Sequence, residues 1–324
     1  MQAIRPNGRG QLEWEEVDTP GPGPEEVLVR VHATALNRAD LLQRKGKYPP
    51  PPGVTDILGL EMAGEVVEAG ERVRAAKAGD RVCALLPGGG YAEYATVREE
   101  MLLPVPEKMS LPQAAAIPEA FLTAFQALQW LARLGRGERT LIHAGASGVG
   151  TAAIQLARWA GAEPLVTASA PKHGLCLQLG AALAIDYQTE DFAEAVAVFT
   201  GEEGVDVVLD FIGAPYWERN LRCLRTDGRL VLLAYMGGRK ADGLDLSLLL
   251  RQRLHLMGST LRARSPAYKS ELTQAFRNWA WRGFESGQLH PVVDSVFEWE
   301  KAAEAHAYME ANKNQGKIVL EVCR

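Results

Sequence analysis

The clearest chemical signal in the sequence is a glycine-rich run between two apolar segments, and it reads Gly145-Ala146-Ser147-Gly148-Val149-Gly150. Arg139–Ala144 before it is typical of a buried strand and Thr151–Ala160 after it of a helix, which is the order that a dinucleotide-binding loop requires. Gly145 allows a tight turn, Gly150 allows close packing of helix on strand, and the intervening amide groups can face a pyrophosphate. Ser147 replaces the middle glycine and can add a hydrogen bond. This pattern favours a nucleotide site over an ordinary glycine-rich turn of another α/β fold.

The end of the next predicted strand indicates which nicotinamide nucleotide the loop would hold, and it reads Val166-Thr167-Ala168-Ser169-Ala170-Pro171-Lys172. NAD-binding sites carry an acidic residue here that hydrogen-bonds the adenosine ribose. Ser169 stands in that place instead, and the cation of Lys172 suits a ribose phosphate, which a carboxylate would repel. The sequence therefore predicts NADPH. NADH is the alternative if Lys172 is only a solvated lysine at a helix start.

Two further runs follow predicted strands and are expected at the same edge of the sheet, Phe211-Ile212-Gly213 and Tyr235-Met236-Gly237. Ligands of a parallel sheet bind at the carboxyl ends of its strands, so both runs are candidate cofactor contacts, although Ile212 is also typical of a core residue. The six histidines stand apart from one another and form no Ser/His/Asp set. His143 falls within a buried strand and is expected to be a core residue.

Alternating strands and helices along the middle of the chain would position these residues. The predicted strands are Arg139–Ala144, Pro164–Ala168, Ala184–Asp186, Val205–Phe211, Arg229–Ala234 and His255–Thr260. The predicted helices between them are Val149–Ala160, Lys172–Leu179, Phe192–Phe199 and Tyr216–Leu224. Strands that alternate with crossover helices in this way predict a doubly wound parallel sheet.

The two ends of the chain lack this regular alternation of strands and helices. Before residue 121 the sequence mixes short β-rich runs, such as Glu26–Ala33 and Glu65–Glu68, with glycine and proline turns. The predicted elements after Thr260 are a helix, a strand, a helix and a strand, at Tyr268–Ser286, near Val296, at Trp299–Asn312 and at Lys317–Val322. They are expected to rejoin the first domain. A chain of 324 residues favours two domains that share a cleft.

Composition and charge disfavour several classes of protein. With 47% hydrophobic residues, 23% charged residues and a net charge of −5, the chain has the composition of an ordinary soluble globular protein. There is no block of Lys and Arg to indicate a nucleic-acid partner, no segment of membrane-spanning length, and no signal peptide is expected. The cysteines are expected to be reduced thiols, as in a cytoplasmic enzyme, at Cys83, Cys176, Cys223 and Cys323.

Motifs along the whole chain carry a family resemblance. They read Ala35-Leu36-Asn37-Arg38-Ala39-Asp40, Gly59-Leu60-Glu61-Met62-Ala63-Gly64, Gly79-Asp80-Arg81-Val82, Leu86-Pro87-Gly88-Gly89-Gly90-Tyr91-Ala92-Glu93-Tyr94, Ala114-Ala115-Ala116-Ile117-Pro118-Glu119, Leu122-Thr123-Ala124-Phe125 and Gly316-Lys317-Ile318-Val319-Leu320. With the glycine-rich turn, they resemble the zinc-free quinone oxidoreductase branch of the medium-chain dehydrogenase/reductase superfamily. The resemblance implies an α/β fold, with a GroES-like, partly open β-barrel catalytic domain at 1–120 and 263–324. It also implies a six-stranded Rossmann domain at 121–262 and a homodimer.

The same resemblance implies that no zinc takes part. Zinc-dependent members place a cysteine ligand where this chain has Asn37 and a histidine ligand where it has Leu60. An amide and an aliphatic side chain cannot replace a thiolate and an imidazole at a catalytic zinc. The neighbouring Glu61 is expected to be a structural or charge partner rather than a ligand. Without a Lewis acid, the resemblance implies that the substrate is a quinone or an activated alkene, which can accept hydride directly.

The resemblance also implies roles for individual side chains. Asn37 is in the family position that faces the nicotinamide, where its amide would bond the cofactor or a substrate carbonyl, and Tyr48 helps to orient the quinone. Thr123 starts the helix that bridges the domains, and its hydroxyl approaches the nicotinamide carboxamide. Tyr187 lies fifteen positions after Lys172, as in a family pair that touches the ribose phosphate. The alternatives are a turn-stabilising Asn37, a surface-packed Tyr48 and a plain helix position for Thr123.

These features together predict an NADPH-dependent quinone oxidoreductase that transfers hydride directly, with Tyr48 or water as the proton donor. A zinc-free enal, enone or enoyl-thioester reductase shares the fold and is one alternative. An alternative of another class is a catalytically weak, cofactor-sensing or RNA-binding crystallin-like protein, which the acidic charge balance disfavours. The predicted homodimer would form through the edge strand near Leu254–Leu261.

Overall fold

The computed structural model describes residues 1–241 and 246–322 of the chain. They form two compact units: the first unit contains Met1–Leu122 and the segment that begins at Leu261, and the second unit is Thr123–Thr260. The strands are β1 (Gln2–Pro6), β2 (Leu12–Glu16), β3 (Glu26–Ala35), β4 (Glu61–Ala69), β5 (Arg81–Leu85), β6 (Tyr94–Arg98), β7 (Leu102–Pro104), β8 (Arg139–Ile142), β9 (Glu163–Ala168), β10 (Leu183–Asp186), β11 (Val205–Asp210), β12 (Leu224–Leu232), β13 (His255–Gly258), β14 (Val293–Glu298) and β15 (Lys317–Glu321).

The α-helices are α1 (Arg38–Arg44), α2 (Leu111–Ala115), α3 (Pro118–Phe125), α4 (Gly148–Trp159), α5 (His173–Gln178), α6 (Phe192–Thr200), α7 (Trp217–Cys223), α8 (Leu246–Arg251), α9 (Pro266–Ser286) and α10 (Ala302–Glu310). Short 3₁₀-helices lie at Glu99–Met101, Ala170–Lys172, Ala214–Tyr216 and Trp299–Lys301, and a π-helix lies at Gln126–Leu131. The strands and helices predicted in the middle of the chain are all present, with ends that differ by a few residues, whereas α8 was not predicted from the sequence.

The second unit is built on a six-stranded sheet in the order β10-β9-β8-β11-β12-β13, whose neighbouring strands are parallel. The central strands β8 and β11 consist mainly of fully buried residues, as expected of parallel strands that are covered on both faces. The order of the strands reverses between β8 and β11, which is where doubly wound sheets bind their ligands. The predicted doubly wound, six-stranded fold is confirmed.

Strand β12 begins earlier than the predicted strand start at Arg229. Its pairing with β11 jumps from Leu224 opposite Val205 to Arg229 opposite Val207, so the residues in between bulge out of the sheet. Asp227 in this bulge has a positive φ of 62°. The sequence Thr-Asp-Gly at the bulge is a turn signal, and it conceals the first part of the strand from sequence inspection.

The first unit contains a seven-stranded sheet in the order β14-β15-β3-β4-β5-β7, with β6 also paired to β3. One edge of β3 is shared between two partners. Its first half, Glu26–Arg30, pairs with β6, and its last residues, Ala33–Ala35, pair with β15. Both pairings are antiparallel. The predicted GroES-like sheet is confirmed, and it combines strands from the beginning and the end of the chain.

Helix α9 attaches the segment after Thr260 to the first unit. The Ser265 hydroxyl oxygen accepts a hydrogen bond from the Tyr268 N–H at 3.2 Å, and Gly287, with a φ of 77°, ends the helix. Phe284 on this helix packs against Phe121 with 4.9 Å between ring centroids. Capping at both ends and aromatic packing in between therefore fix the position of the helix.

Thr123 does not start a helix, so this prediction was wrong. Helix α3 begins at Pro118, because proline at the first helical position has a preset φ and needs no N–H partner. Thr123 lies inside α3, and a π-helix follows directly at Gln126–Leu131. The buried side chain of Gln126 accepts a hydrogen bond from the Ser259 hydroxyl at 3.1 Å, which fixes this π-helix within the second unit.

No helix in 1–241 or 246–322 combines the length and the apolar character that a membrane crossing needs. Cys83, Cys176 and Cys223 are buried and free, as predicted for reduced thiols, and Cys323 lies outside the described residues.

Candidate functional site

The glycine-rich loop connects β8 to α4 at the carboxyl edge of the parallel sheet. The Gly145 N–H donates to the Thr167 carbonyl oxygen at 2.9 Å, which ties the loop to the end of β9. A Cβ atom on Gly145 would lie 2.6 Å from the side chain of Val166, and one on Gly150 would lie 2.3 Å from the Ala144 carbonyl oxygen. Both positions therefore require glycine, because helix and strand approach each other too closely for a side chain.

Ser147 is the N-cap residue of α4, and its hydroxyl oxygen accepts a hydrogen bond from the Gly150 N–H at 3.0 Å. The hydroxyl hydrogen is still able to donate. The N–H groups of Gly148 and Val149 belong to the first helical turn, where no intrahelical acceptor exists. This helix start thus combines backbone donors with the positive end of the helix dipole, an arrangement that fits a pyrophosphate.

The structure brings the residues predicted for the adenosine ribose to neighbouring strand ends. Ala168 at the end of β9 is paired with Asp186 at the end of β10, so Ser169 and Tyr187 leave the sheet side by side. Ser169 and Lys172 are half-buried, whereas Tyr187 is exposed. The turn after β9 thus presents a hydroxyl and an ammonium group and no carboxylate, as a phosphorylated ribose would require.

The two remaining predicted cofactor runs lie against each other. The Met236 N–H donates to the Phe211 carbonyl oxygen at 3.1 Å, and the Gly237 N–H donates to the Ile212 carbonyl oxygen at 2.8 Å. Gly213 has a φ of 83°, and a Cβ atom there would lie 2.6 Å from the Gly238 carbonyl oxygen. Ile212 is half-buried rather than part of the core, while Tyr235 and Met236 are exposed.

A chain of buried polar side chains lies behind these loops. The Asn220 side chain donates through Nδ2 to Asp210 at 3.1 Å, and its Oδ1 is 2.6 Å from His143 Nε2. His143 therefore carries its proton on Nε2 and accepts at Nδ1 from the Thr167 hydroxyl at 2.9 Å. Asp210 also accepts from the N–H of Gly213. The chain links the ends of β8, β9 and β11, and the predicted core role of His143 is confirmed.

Burial is the main cause of the pKa shifts of His143 and Asp210 in this hydrogen-bond network. The environment of His143 lowers its pKa from 6.5 to about 4, mainly because the charged imidazolium would lose its water and partly because Arg219 is nearby. Burial also raises the pKa of Asp210. His143 is consequently neutral at physiological pH, which is the state that the hydrogen-bond chain requires.

In the first unit, Asn37 lies between two buried charges. Its Nδ2 donates to Glu61 at 2.9 Å and to the Ala35 carbonyl oxygen at 3.2 Å, so both amide hydrogens are used. Its Oδ1 accepts from the Lys317 ammonium at 2.7 Å. Lys317 also donates to Glu61 at 2.6 Å and to the Leu36 carbonyl oxygen at 2.7 Å. Glu61 is therefore the charge partner that the sequence predicted.

Two further acidic groups lie close to this ion pair. Asp40 is buried and accepts a hydrogen bond from the Asn37 N–H at 2.7 Å, and burial raises its pKa to about 6. The Glu119 N–H donates to Glu61 at 2.8 Å. Burial and the Glu61 carboxylate raise the pKa of the Glu119 side chain to about 8. Glu119 is thus largely protonated at neutral pH, so the Lys317 ammonium is balanced mainly by Glu61.

Tyr48 is half-buried in the first unit, and the guanidinium carbon of Arg262 lies 5.4 Å from the centre of its ring. Lys317 is a charged residue of this unit that sequence inspection missed as part of the polar centre, and Arg262 beside Tyr48 was not predicted either. Lys317 was predicted only as the first residue of an apolar strand. Because lysine is rarely buried without a partner, its position in such a strand could have indicated a buried acidic partner. Arg262 offered no such signal.

Residues 1–241 and 246–322 contain no group of three or more His, Cys, Asp or Glu side chains that could hold a metal ion. The polar centre formed by Asn37 and Glu61 instead contains the Lys317 ammonium. Because that cation already satisfies the carboxylate, a second positive ion would be repelled at this position.

Comparisons with known proteins extend over both units. The alcohol dehydrogenase GroES-like domain family matches residues 23–107, and the zinc-binding dehydrogenase family matches residues 148–278. The quinone oxidoreductase of Pseudomonas aeruginosa is 36% identical over 312 residues, which cover 95% of each protein. The structure of CurK enoyl reductase is similar with a TM-score of 0.87 and 32% identity, and covers 99% of this chain and 98% of that one. A mycobacterial protein complexed with NADPH has a TM-score of 0.87 and 29% identity, and covers 99% and 100%.

The Lys317–Glu61 pair yields a prediction about stability. A Lys317→Met variant is expected to lose about 3–5 kcal/mol of unfolding free energy, because the Glu61 carboxylate remains buried without its ammonium partner. The Glu61→Gln/Lys317→Met double variant should recover a large part of this loss. Urea titration followed by circular dichroism measures both. The exposed Lys301–Glu298 pair, 3.2 Å apart, is the control, and loss of this pair in Lys301→Met should lower the unfolding free energy by about 1 kcal/mol or less. The prediction would be contradicted if the double variant lost as much unfolding free energy as the Lys317→Met and Glu61→Gln single variants together.

His143 yields a prediction about pH dependence. Its pKa is about 4 in the folded protein and 6.5 when unperturbed, so on acidification the unfolded chain takes up the proton first. Stability from this residue is complete above the unperturbed value and is lost as the pH falls toward the folded value. Between about pH 7.5 and about pH 5.5, wild type should lose on the order of 1 kcal/mol more unfolding free energy than His143→Gln. Equal pH dependence of unfolding free energy in wild type and His143→Gln would refute the assignment.

Proposed function

The chain belongs to the quinone oxidoreductase family of the medium-chain dehydrogenase/reductase superfamily, and we propose that it transfers hydride from NADPH directly to a quinone without a metal ion. The observation that carries this proposal is the Lys317 ammonium, which lies 2.7 Å from Asn37 Oδ1 and 2.6 Å from Glu61 Oε1. Because a cation already fills this polar centre, the site suits acceptors that are electrophilic enough to take hydride unaided.

The proposed nucleotide site is the carboxyl edge of the second unit. The first N–H groups of α4 and the Ser147 hydroxyl would bind the pyrophosphate. Ser169, Lys172 and Tyr187 would bind the ribose phosphate, whose charge favours NADPH over NADH. The remaining residues of the proposed site are Gly145, Ala146, Gly148, Val149, Gly150, Phe211, Ile212, Gly213, Tyr235, Met236 and Gly237. When bound, NADPH supplies the hydride, and the similarity to a mycobacterial protein complexed with NADPH supports this cofactor.

The proposed catalytic residues are Asn37, Tyr48 and Thr123. Both amide hydrogens of Asn37 are already engaged, so its contribution would be to accept a hydrogen bond at Oδ1 from the nicotinamide carboxamide. The Thr123 hydroxyl would bond the same carboxamide. Tyr48 would orient the quinone ring, and either its phenol or water would protonate the reduced product. Holding the acceptor and excluding water are the tasks left to the protein, because the nucleotide brings the reducing power.

The domain limits belong to the same proposal. Segments 1–120 and 263–324 would form the catalytic domain, and 121–262 would form the nucleotide-binding domain. A homodimer would form through β13, which is the edge strand of the six-stranded sheet. A cytoplasmic location also stays a prediction.

A second candidate function is the reduction of an activated alkene, such as an enone or an enoyl thioester. The similarity to CurK enoyl reductase, at 32% identity over nearly the whole chain, favours it. Quinones and activated alkenes both place negative charge on an oxygen after accepting hydride, so one site could serve either. The two candidates therefore differ in acceptor shape rather than in chemistry.

The function is tested by NADPH oxidation with purified protein in the presence of a metal chelator. With equal concentrations of para-benzoquinone and an α,β-unsaturated ketone, kcat/KM is expected to be at least about tenfold higher for the quinone. The chelator should leave the rate unchanged, and added zinc should not raise it. A faster reaction with the enone would favour the second candidate, and a rate that depends on zinc would rule out the metal-free proposal.

The cofactor is tested with a Lys172→Ala variant. Loss of a charge-assisted hydrogen bond to the ribose phosphate should raise the KM for NADPH about tenfold and leave the KM for NADH unchanged. A Ser169→Asp variant should shift the preference toward NADH, because the carboxylate repels the phosphate and can bond the free ribose. Lys108→Ala, at an exposed lysine of the first unit, is the matched control. Equal changes for both nucleotides would remove Lys172 from the phosphate site.

A further inference from the structure

Arg262 is a buried cation to which the roles above assign no task. The residue is 5% exposed and lies in the first unit. Its Nε donates to the Pro87 carbonyl oxygen at 2.8 Å, and its guanidinium carbon lies 5.4 Å from the centre of the Tyr48 ring. One hydrogen bond and one aromatic face thus fix the orientation of the guanidinium group.

The outer end of this group has no partner within the described protein. Neither Nη1 nor Nη2 of Arg262 makes a hydrogen bond to any residue of 1–241 or 246–322. Both nitrogens carry N–H donors in a rigid planar fork, and the guanidinium keeps its positive charge at any physiological pH. Buried charges in proteins are usually paired, so two buried donors without a protein partner indicate that a ligand oxygen is the missing partner.

The nearby acidic groups form no hydrogen bond with Nη1 or Nη2 of Arg262. Burial lowers the pKa of Arg262, while Asp40, Tyr48 and Glu119 act in the opposite direction. The pKa of Glu119 is raised to about 8 by burial and by neighbouring Glu61, so Glu119 is largely neutral at pH 7. Asp40, whose pKa is about 6, is largely ionised at pH 7, but its oxygens accept hydrogen bonds from the N–H groups of Asn37 and Gly59 rather than from Arg262. The two terminal nitrogens of Arg262 therefore keep their donors for the oxygen of a ligand.

We propose that Arg262 is a catalytic residue whose Nη1 and Nη2 donors bind the reacting oxygen of a planar carbonyl acceptor, with the Tyr48 ring alongside. This rests on the proposed function, and it specifies the part of the acceptor that the first unit recognises. Planar carbonyl compounds that become oxyanions on reduction, quinones above all, match the fork and the aromatic face. Arg262 would stabilise the product oxyanion more strongly than the neutral carbonyl, which accelerates reduction.

The proposed reduction conserves atoms and electrons. Bound NADPH would supply a hydride with its electron pair through breakage of one C–H bond, and the nucleotide would thereby be oxidised by two electrons. The quinone accepts that hydride and becomes the monoanion of its hydroquinone, whose oxygen carries the negative charge. Arg262 keeps all its protons and hydrogen-bonds this oxygen. A proton from solvent then converts the monoanion to the neutral hydroquinone, which leaves.

The kinetic test uses two variants at Arg262 and one control. With para-benzoquinone, kcat/KM should fall about a hundredfold in Arg262→Gln, mostly through kcat, because the lost interaction is strongest in the transition state. Arg262→Lys keeps the charge but loses the fork and should fall about tenfold. Arg264→Gln, at an arginine stacked 4.6 Å over Tyr268, should stay within about twofold of wild type. NADPH binding, followed by its fluorescence, should be the same in all four proteins.

A binding test without turnover separates this proposal from the proposed function. Wild type should bind para-nitrophenolate, a planar oxyanion, at least about tenfold more tightly than Arg262→Gln, while the neutral ether para-nitroanisole should bind both equally. If wild type reduces no quinone or enone, the proposed function fails, and the phenolate measurement still decides the role of Arg262. Equal phenolate affinity in both proteins, unchanged kcat/KM in both Arg262 variants, or parallel loss of NADPH binding would overturn the proposal.

Discussion

The fully buried carboxylate of Glu61 is the constraint on which the first unit depends. A charge removed from water is tolerated only when several donors surround it. Here the donors are the Lys317 ammonium, the Asn37 amide and the backbone N–H of Glu119. They come from the last described strand, the turn after β3 and the first turn of α3. One group thus determines where a proposed catalytic residue lies and how the two ends of the chain join.

The second unit also contains buried polar side chains that need partners, and there a network of mostly neutral groups supplies the hydrogen bonds. His143 forms hydrogen bonds with the Thr167 hydroxyl and with the side-chain oxygen of Asn220. Asn220 donates to the Asp210 carboxylate, which also accepts a hydrogen bond from the N–H of Gly213. Loops at the carboxyl edge are therefore anchored from behind by buried side chains. In both units, the residues proposed to touch ligands are oriented by polar groups that solvent does not reach, which is how rigid sites are usually supported.

Sequence patterns were sufficient for the parallel sheet, because alternating apolar runs and helical stretches reflect local periodicity. They failed where contacts between distant parts of the chain, or unusual backbone conformations, decide the outcome. The start of β12 was missed because the bulge at Asp227 looks like a turn. The helix around Thr123 was assigned a late start although Pro118 begins it. Lys317 and Arg262 escaped notice because their partners, such as Glu61, are distant in sequence and become neighbours only in the folded chain.

The first unit is interrupted in the sequence, and this has a consequence for synthesis. During translation Thr123–Thr260 leaves the ribosome as one continuous stretch, so its parallel sheet is able to close while later codons are still being read. At that stage β3 has no β15 to pair with, and Glu61 has no ammonium partner, because Lys317 has not yet been synthesised. A nascent polypeptide stalled before that codon would therefore combine a finished nucleotide-binding half with an open strand edge and an uncompensated carboxylate, the kind of surface that chaperones recognise.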